Sequence, residues 1–122
     1  MPGSGSKTIL FTTLAVLGLT GPALAEALVP VQIMLKDHRF TPTEIHLPAG
    51  RPTLLEVTNA DATPEEFEMR QLAIEKVMVG GGKVRVRLPP LGPGRYQFIG
   101  EYNEATAQGT IIVEAAGAPA PK

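Results

Sequence analysis

Residues 91–96 read Leu-Gly-Pro-Gly-Arg-Tyr and give the clearest indication of the fold in this chain. A Pro-Gly turn comes directly before Tyr96, which lies in an alternating stretch. A tyrosine in this place can return its hydroxyl group to the backbone upstream, and such a tyrosine corner fixes a crossing between the two sheets of a Greek-key sandwich. The alternative is an ordinary half-buried strand tyrosine. We favour the tyrosine corner, because the Pro-Gly turn comes just before the tyrosine in the sequence.

Apolar and polar residues alternate with period two on both sides of this turn. Such a pattern is typical of strands that bury one face, and Pro, Gly, Asn and Asp clusters separate the runs. The runs lie at residues 31–36, 54–57, 74–79, 83–88, 95–98 and 110–113. The pattern predicts an all-β Greek-key sandwich of about seven or eight strands. Helix-forming residues between 64 and 72 predict one short helical turn near residues 68–73.

The N-terminal segment, residues 1–25, has the organisation of a secretory signal peptide. An early lysine precedes an apolar run over residues 9–19, and Ala-Leu-Ala at residues 23–25 precedes the expected cleavage position. The alternative is a membrane anchor, but the run is shorter than the ~18–20 residues that a spanning helix needs. We therefore expect a periplasmic mature chain with no membrane span. It comprises a domain over residues 26–114 and a flexible tail over residues 115–122.

The composition excludes several classes of function. The 122 residues include no Cys, so disulfides, thiolate catalysis, iron–sulfur clusters and thiolate copper sites are excluded. A formal net charge of −1 lacks the basic excess of a nucleic-acid binder. Serine occurs only at Ser4 and Ser6, within the expected signal peptide. No catalytic constellation is evident, so we do not expect an enzyme, although assistance in metal oxidation stays open.

The order of these stretches resembles a cupredoxin-like domain. The resemblance covers residues 30–114 and implies a sandwich fold. Within the family, residues 67–77 and 90–96 are similar to the EfeO-type cupredoxin-like proteins, which are periplasmic and associated with ferrous-iron uptake systems. The stretches that carry the family resemblance are residues 40–42 (FTP), 45–50 (IHLPAG), 55–61 (LEVTNAD), 59–67 and 96–113.

The family pattern also shows which copper ligands this chain lacks. A blue-copper cupredoxin holds its metal with His, Cys, His and a weak axial Met. The corresponding positions here are Glu65, Gly100, Asn103 and Ala107. Because all four ligands differ, the sequence excludes a type 1 copper centre and electron transfer of the blue-copper kind. The iron-associated members commonly carry His at the position of Asn103 and a small polar residue at the position of Met69.

Acidic residues nevertheless crowd the loops that form the metal end of the family fold. These loops and the following strand contain Glu65, Glu66, Glu68, Met69, Glu75, Glu101, Asn103 and Glu104. Carboxylate and amide oxygens suit iron, manganese or calcium, whereas a thioether suits cuprous copper. The alternative is a solvated acidic loop with Met69 in the core. For a metal site, the preferred ligands are Glu68 and Glu101, followed by Glu65, Met69 and Asn103.

Histidine and basic residues provide two further candidates. His38 and His46 are interpreted as surface residues at strand ends, with a surface copper or nickel pair as the alternative. Lys83, Arg85 and Arg87 share one strand face. We interpret that face as solvated and opposite acidic residues on the neighbouring strand. The alternative is a docking stripe for an acidic partner.

Two functions fit these observations. The resemblance implies an exported accessory protein that binds or hands over iron, with copper as the second metal. Its partners would be a membrane iron transporter or the periplasmic components of that transporter. The alternative is a metal-free module that keeps the cupredoxin fold and docks a membrane or periplasmic partner. A shared fold does not decide between them, because function depends on the site.

Overall fold

Two β-sheets packed face to face form the domain in the computed structural model, which describes residues 2–5, 18 and 28–115. Short 3-10 turns at Arg70–Leu72 and Glu101–Asn103 follow β5 and β8. The strands are β1 (Val31–Lys36), β2 (Arg39–Thr41), β3 (Glu44–Pro48), β4 (Thr53–Asn59), β5 (Glu65–Met69), β6 (Ile74–Met78), β7 (Lys83–Leu88), β8 (Gly94–Gly100) and β9 (Gln108–Glu114).

The first sheet has the order β2-β1-β4-β7 and the second the order β3-β9-β8-β5-β6. Both sheets are mixed, because β1 pairs with β4 and β3 with β9 in parallel, whereas the other pairs are antiparallel. The predicted all-β sandwich is therefore confirmed. The described residues contain nine strands, more than expected. The helical turn covers only Arg70–Leu72, because residues 68 and 69 belong to β5.

Three phenylalanine rings form the centre of the core between the sheets. Phe40, Phe67 and Phe98 are each at most 2% exposed. The Phe98 centroid lies 5.1 Å from that of Phe40 and 5.7 Å from that of Phe67. These are typical separations for favourable aromatic pairs. The cluster ties β2 of the first sheet to β5 and β8 of the second.

The predicted tyrosine corner is confirmed. The Tyr96 hydroxyl donates a hydrogen bond of 2.9 Å to the Gly92 carbonyl oxygen, across the turn before β8. We expect Tyr96→Phe to lower the free energy of unfolding by about 1 kcal/mol, the usual net worth of one hydrogen bond. Urea unfolding measures this change. Tyr102→Phe provides the control, and an equal loss in both variants would contradict a special role for the corner.

Parts of the predicted terminal organisation lie outside the described residues. They are residues 116–122 of the expected tail and the whole expected signal peptide apart from residues 2–5 and 18. Within the described part of the chain, no helix is long and apolar enough to cross a membrane.

Candidate functional site

The four positions that correspond to copper ligands lie together at the end of the sandwich where β5 begins and β8 ends. A Cβ atom built on Gly100 would lie 2.7 Å from Glu65 Cδ and 2.8 Å from Ala107 Cβ. The Asn103 side-chain amide donates a hydrogen bond of 2.7 Å to Glu65 Oε2. The Gly100 and Ala107 backbones are also joined, by a hydrogen bond of 2.9 Å. We call Glu65, Gly100, Asn103 and Ala107 the ligand-position cluster.

Glu65 fills this cluster with a buried carboxylate. The residue is 1% exposed. Its Oε1 atom accepts backbone hydrogen bonds from Tyr102 at 2.8 Å and from Glu66 at 3.0 Å, while Oε2 accepts the Asn103 bond. None of the ion pairs among the described residues includes Glu65. Both oxygens are thus satisfied by uncharged donors, as buried polar groups require.

Met69 lies apart from this network in the hydrophobic core. It is on the same face of β5 as Glu65 and Phe67, and it is fully buried. The interpretation that Met69 fills the core is therefore confirmed. A thioether packed among apolar side chains is not presented to an ion at the surface.

Glu68 points to the opposite face of β5. The residue is 8% exposed, and its Oε1 atom lies 3.3 Å from Arg70 Nε. Its Oε2 atom is buried and has no hydrogen-bond partner. The Arg70 guanidinium also donates two hydrogen bonds to the Glu104 carboxylate in a bidentate ion pair, at 2.9 and 3.2 Å. Glu68 lines a small pocket of about 40 Å³, and the other lining residues are Arg70, Gln71, Gln97 and Ile99.

Further carboxylates lie on this outer face near Glu68 and Glu66. Glu75 is directly opposite Glu68 in the antiparallel β5–β6 register, which places both side chains on one face. Burial raises the pKa of Glu66, and a hydrogen bond to Glu101 and the charges of Glu101 and Glu75 raise it further. We call Glu66, Glu68, Glu75 and Glu101 the acidic face.

The acidic face concentrates negative charge. Its side chains do not form a complete metal site in this arrangement. Within residues 28–115, no group of three or more His, Cys, Asp or Glu side chains is arranged to hold a metal ion. The five preferred ligands therefore divide among three environments. Glu65 and Asn103 bond to each other, Met69 lies in the core, and Glu68 and Glu101 belong to the acidic face. As a five-residue site, the metal centre stays a prediction.

Comparison with known proteins gives the family. A model of the cupredoxin-like domain matches residues 8–113. The chain belongs to the cupredoxin-like domain family. This cupredoxin-like protein is 41% identical over 83 residues to the uncharacterized protein RP394 of Rickettsia prowazekii (strain Madrid E). That match covers 68% of this chain and 66% of the relative, just under two thirds of its length.

Solved structures of similar fold include two copper-binding proteins and a purple cupredoxin. The metal-binding domain of the Cu(I)-exporting P-type ATPase CopA of Streptococcus pneumoniae D39, solved with Cu(I), has a TM-score of 0.65 at 18% identity, covering 75% of this chain and 91% of that one. The blue copper protein auracyanin A of Chloroflexus aurantiacus has a TM-score of 0.59 at 17% identity, covering 72% and 100%. A purple cupredoxin of Nitrosopumilus maritimus has a TM-score of 0.53 at 16% identity, covering 68% and 98%. At these identities, the likeness shows the fold alone.

The residues at the ligand positions of the cupredoxin-like protein do not fit the copper ion that its fold family implies. A type 1 site needs a thiolate and two imidazoles, and the ligand-position cluster offers neither. At Gly100 there is no room for any side chain, since even a Cβ atom would lie under 3 Å from Glu65 and Ala107. The Glu65 carboxylate and the Asn103 amide satisfy each other instead.

His46 of the cupredoxin-like protein lies on the surface between two carboxylates, as expected, but in the middle of β3 and not at a strand end. Its Nδ1 atom is 2.9 Å from Glu114 and its Nε2 atom 2.8 Å from Glu44. His38 is on the turn between β1 and β2, where its Nε2 atom is 3.4 Å from Thr63 Oγ1. The two histidines therefore contact different partners.

Hydrogen bonds to Glu114 and Glu44 raise the pKa of His46 above its ordinary value. The raised pKa gives a stabilisation that is complete below about pH 6.5 and is lost as pH rises through the folded-state pKa. We expect an NMR titration to show this pKa, and Glu44→Gln with Glu114→Gln to return it to the ordinary range. An unchanged pKa in the double variant would contradict the assignment of its cause.

Proposed function

We propose that this cupredoxin-like protein is an exported accessory of metal uptake that binds a hard divalent cation on its acidic face. Ferrous iron is the cargo that the EfeO-type resemblance suggests. Export is supported by the signal-peptide pattern of residues 1–25. The observation that carries the proposal is the buried and unpartnered Oε2 atom of Glu68.

A buried carboxylate oxygen without a partner is costly. Leaving such a group unsatisfied typically costs about 1–3 kcal/mol, and more when it is charged. Directly opposite like charges in a sheet add repulsion, and Glu68 is opposite Glu75. A divalent cation between these carboxylates would satisfy the oxygen and remove the repulsion. Proteins accept such arrangements at functional sites more readily than elsewhere.

The donor chemistry favours a hard cation over cuprous copper. Carboxylate oxygens are ligands for iron, manganese and calcium. The soft donor that the sequence offered, Met69, is buried in the core. Burial and neighbouring carboxylates raise the pKa of Glu66, and a cation bound beside it would lower that pKa again.

Transfer to a membrane iron transporter, or to its periplasmic components, is the partner role that follows from this proposal. The acidic face is on the outer surface of the second sheet, and Glu66, Glu75 and Glu101 retain contact with solvent. Apart from the buried Glu68, the ligands of such a cargo would be partly or fully exposed carboxylates, which leaves the bound ion open to solvent. This accessibility suits delivery better than permanent storage.

Anaerobic calorimetric titration of residues 26–122 with Fe²⁺, Mn²⁺, Ca²⁺ and Cu⁺ tests the proposal. We expect one hard cation per chain, binding at least ~10-fold weaker in Glu68→Gln and in Glu75→Gln, since affinity follows the number of charged ligands. Asp37→Asn is the matched control, because it removes an exposed carboxylate at the β1–β2 turn. Equal weakening in all three variants would indicate unspecific attraction and contradict the site.

A metal-free interaction module is the second candidate. Its specific support is the satisfied Glu65 network, which closes the position of the family's metal. The lack of a preformed group of three ligands among the described residues also favours it. If no tested ion binds, this candidate replaces the first, and the search moves to a protein partner.

A further inference from the structure

The edges of the two sheets meet at β6 and β7, which are the end strands of the second and first sheets. Each has a sheet neighbour on one side only, β5 and β4 respectively. A groove of about 440 Å³ lies between them, within the usual size range of ligand sites. Its lining residues are Ala73, Ile74, Glu75, Lys76, Arg85, Val86 and Arg87. We call it the β6–β7 groove.

One end of the groove is fixed by the turn that joins its two strands. The Gly82 backbone N–H donates to the Val79 carbonyl at 2.9 Å, and Asn59 donates from its side chain to Val79 at 3.3 Å. The groove is lined by the opposite parts of the strands, residues 73–76 and 85–87. The strands are thus held together at the turn and separated beyond it.

The groove has the free strand edges that an added strand needs, because β6 and β7 each pair on one side only. An extended segment paired with β7 would lie ~4.8 Å from it. Edge strands present unpaired N–H and C=O groups, and proteins recognise extended peptides by this means.

Charge determines which segment fits. Three basic side chains line the groove, Lys76, Arg85 and Arg87, against a single acid, Glu75. Arg85 is paired with Glu56 through Nε at 3.0 Å. Lys76 and Arg87 take part in none of the ion pairs found within residues 28–115. A complementary segment therefore carries carboxylates on the side that faces these two cations.

Exposed apolar side chains adjoin the same edge. Val77 is 57% and Val79 67% exposed, on and just after β6. An alternating segment has one polar and one apolar side. Val77 and Lys76 are consecutive on β6 and so point to opposite faces of that strand, which matches the alternation of such a segment.

We propose that the β6–β7 groove binds an extended acidic segment of a partner protein, which adds as a strand along β7. The groove shares Glu75 with the acidic face, but Lys76 and Arg87 belong to the groove alone, so substitutions of these two residues test docking separately from cation binding. Basic residues on edge strands also discourage association between sheets. That purely protective role predicts no binding and is one outcome of the test.

An NMR titration of the ¹⁵N-labelled chain over residues 26–122 provides the test. The probe is a blocked peptide of about eight residues that alternates Asp and Val, and the control peptide has Asn in place of Asp. We expect shifts and slower amide exchange confined to residues 74–78 and 83–88, with weaker binding of the control peptide. Binding should also decrease with added salt, as exposed charge pairs do.

Variants separate docking from general attraction. We expect Lys76→Glu with Arg87→Glu to weaken peptide binding at least ~10-fold. Lys36→Glu with Arg51→Glu makes the same charge change outside the groove and should leave affinity within about twofold. Glu68→Gln should bind the peptide normally, whatever happens to cation binding. Equal weakening in both charge-reversal variants, shifts located elsewhere, or no binding would overturn the proposal, as would self-association of the chain through this edge in sedimentation.

Discussion

Glu65→Ala is expected to lower the free energy of unfolding by about 3 kcal/mol, a large fraction of the ~5–15 kcal/mol that stabilises a small domain. The substitution leaves three N–H donors, on Glu66, Tyr102 and Asn103, without their acceptor. It also opens a cavity, since Glu65 is among the largest fully buried side chains of the described chain. Chemical denaturation with linear extrapolation measures the loss.

Two further variants show whether the network causes this loss. Glu65→Gln keeps one acceptor oxygen but turns an amide N–H₂ toward other donors, so we expect an intermediate loss. Glu66→Ala, on the outer face of the same strand, changes the same residue type and should cost under about 1 kcal/mol. A loss below about 1 kcal/mol in Glu65→Ala would show that water replaces the carboxylate and that the network is not a structural requirement.

The network explains why this member of the family can dispense with a metal at that position. In a type 1 site, the metal joins the ligand loop to the neighbouring strand. Here, the Glu65 carboxylate joins β5 to the turn at Glu101–Asn103 through hydrogen bonds. The change from His to Glu therefore substitutes an internal acceptor for an external ion. The carboxylate size and the absent side chain at Gly100 fit each other, since a Cβ atom there would lie 2.9 Å from Glu65 Oε2.

Much of the fold was predictable because alternation is a local property of the sequence. The alternating runs became strands, and the Tyr96 hydroxyl bonds to the upstream backbone as predicted, at the Gly92 carbonyl oxygen. β2 was missed because three residues, Arg39–Thr41, are too short to show a period. β5 was missed for another reason, as its sequence Glu-Glu-Phe-Glu-Met consists largely of helix formers. Pairing with β6 and β8, and burial of Phe67, outweighed that propensity.

The misassignment of β5 also explains why the candidate ligands were grouped across two faces of one strand. On a strand, residues 65, 67 and 69 point inward and residues 66 and 68 point outward. The sequence-based list combined Glu65 and Met69 with Glu68, which lie on opposite faces. The two-residue alternation of a strand would have grouped Glu68 with Glu66 instead. The pairing of Glu65 with Asn103 was beyond sequence reasoning, because it depends on how the turn after β8 is positioned over β5.

Gly109→Ala is expected to disrupt the core and to lower the free energy of unfolding by about 3 kcal/mol or more. Gly109 is directly opposite Phe98 in the β8–β9 register, and a Cβ atom there would lie 2.0 Å from Phe98 Cζ. The ring has no free direction to move, because it already packs against Phe40 and Phe67. Thermal and chemical unfolding should both show the loss.

Gly92→Ala is the matched control, since a Cβ atom at Gly92 would meet nothing within 4 Å. It should be neutral within about 0.5 kcal/mol. In the Gly109→Ala background, Phe98→Leu should cost less than it does in the unmodified chain, because the smaller side chain relieves the clash. Additive effects would contradict steric overlap as the cause. In the family's copper pattern this glycine follows the axial Met, but in this chain the requirement for glycine comes from the Phe98 ring. A glycine at a position of the family's metal loop is therefore required here for packing.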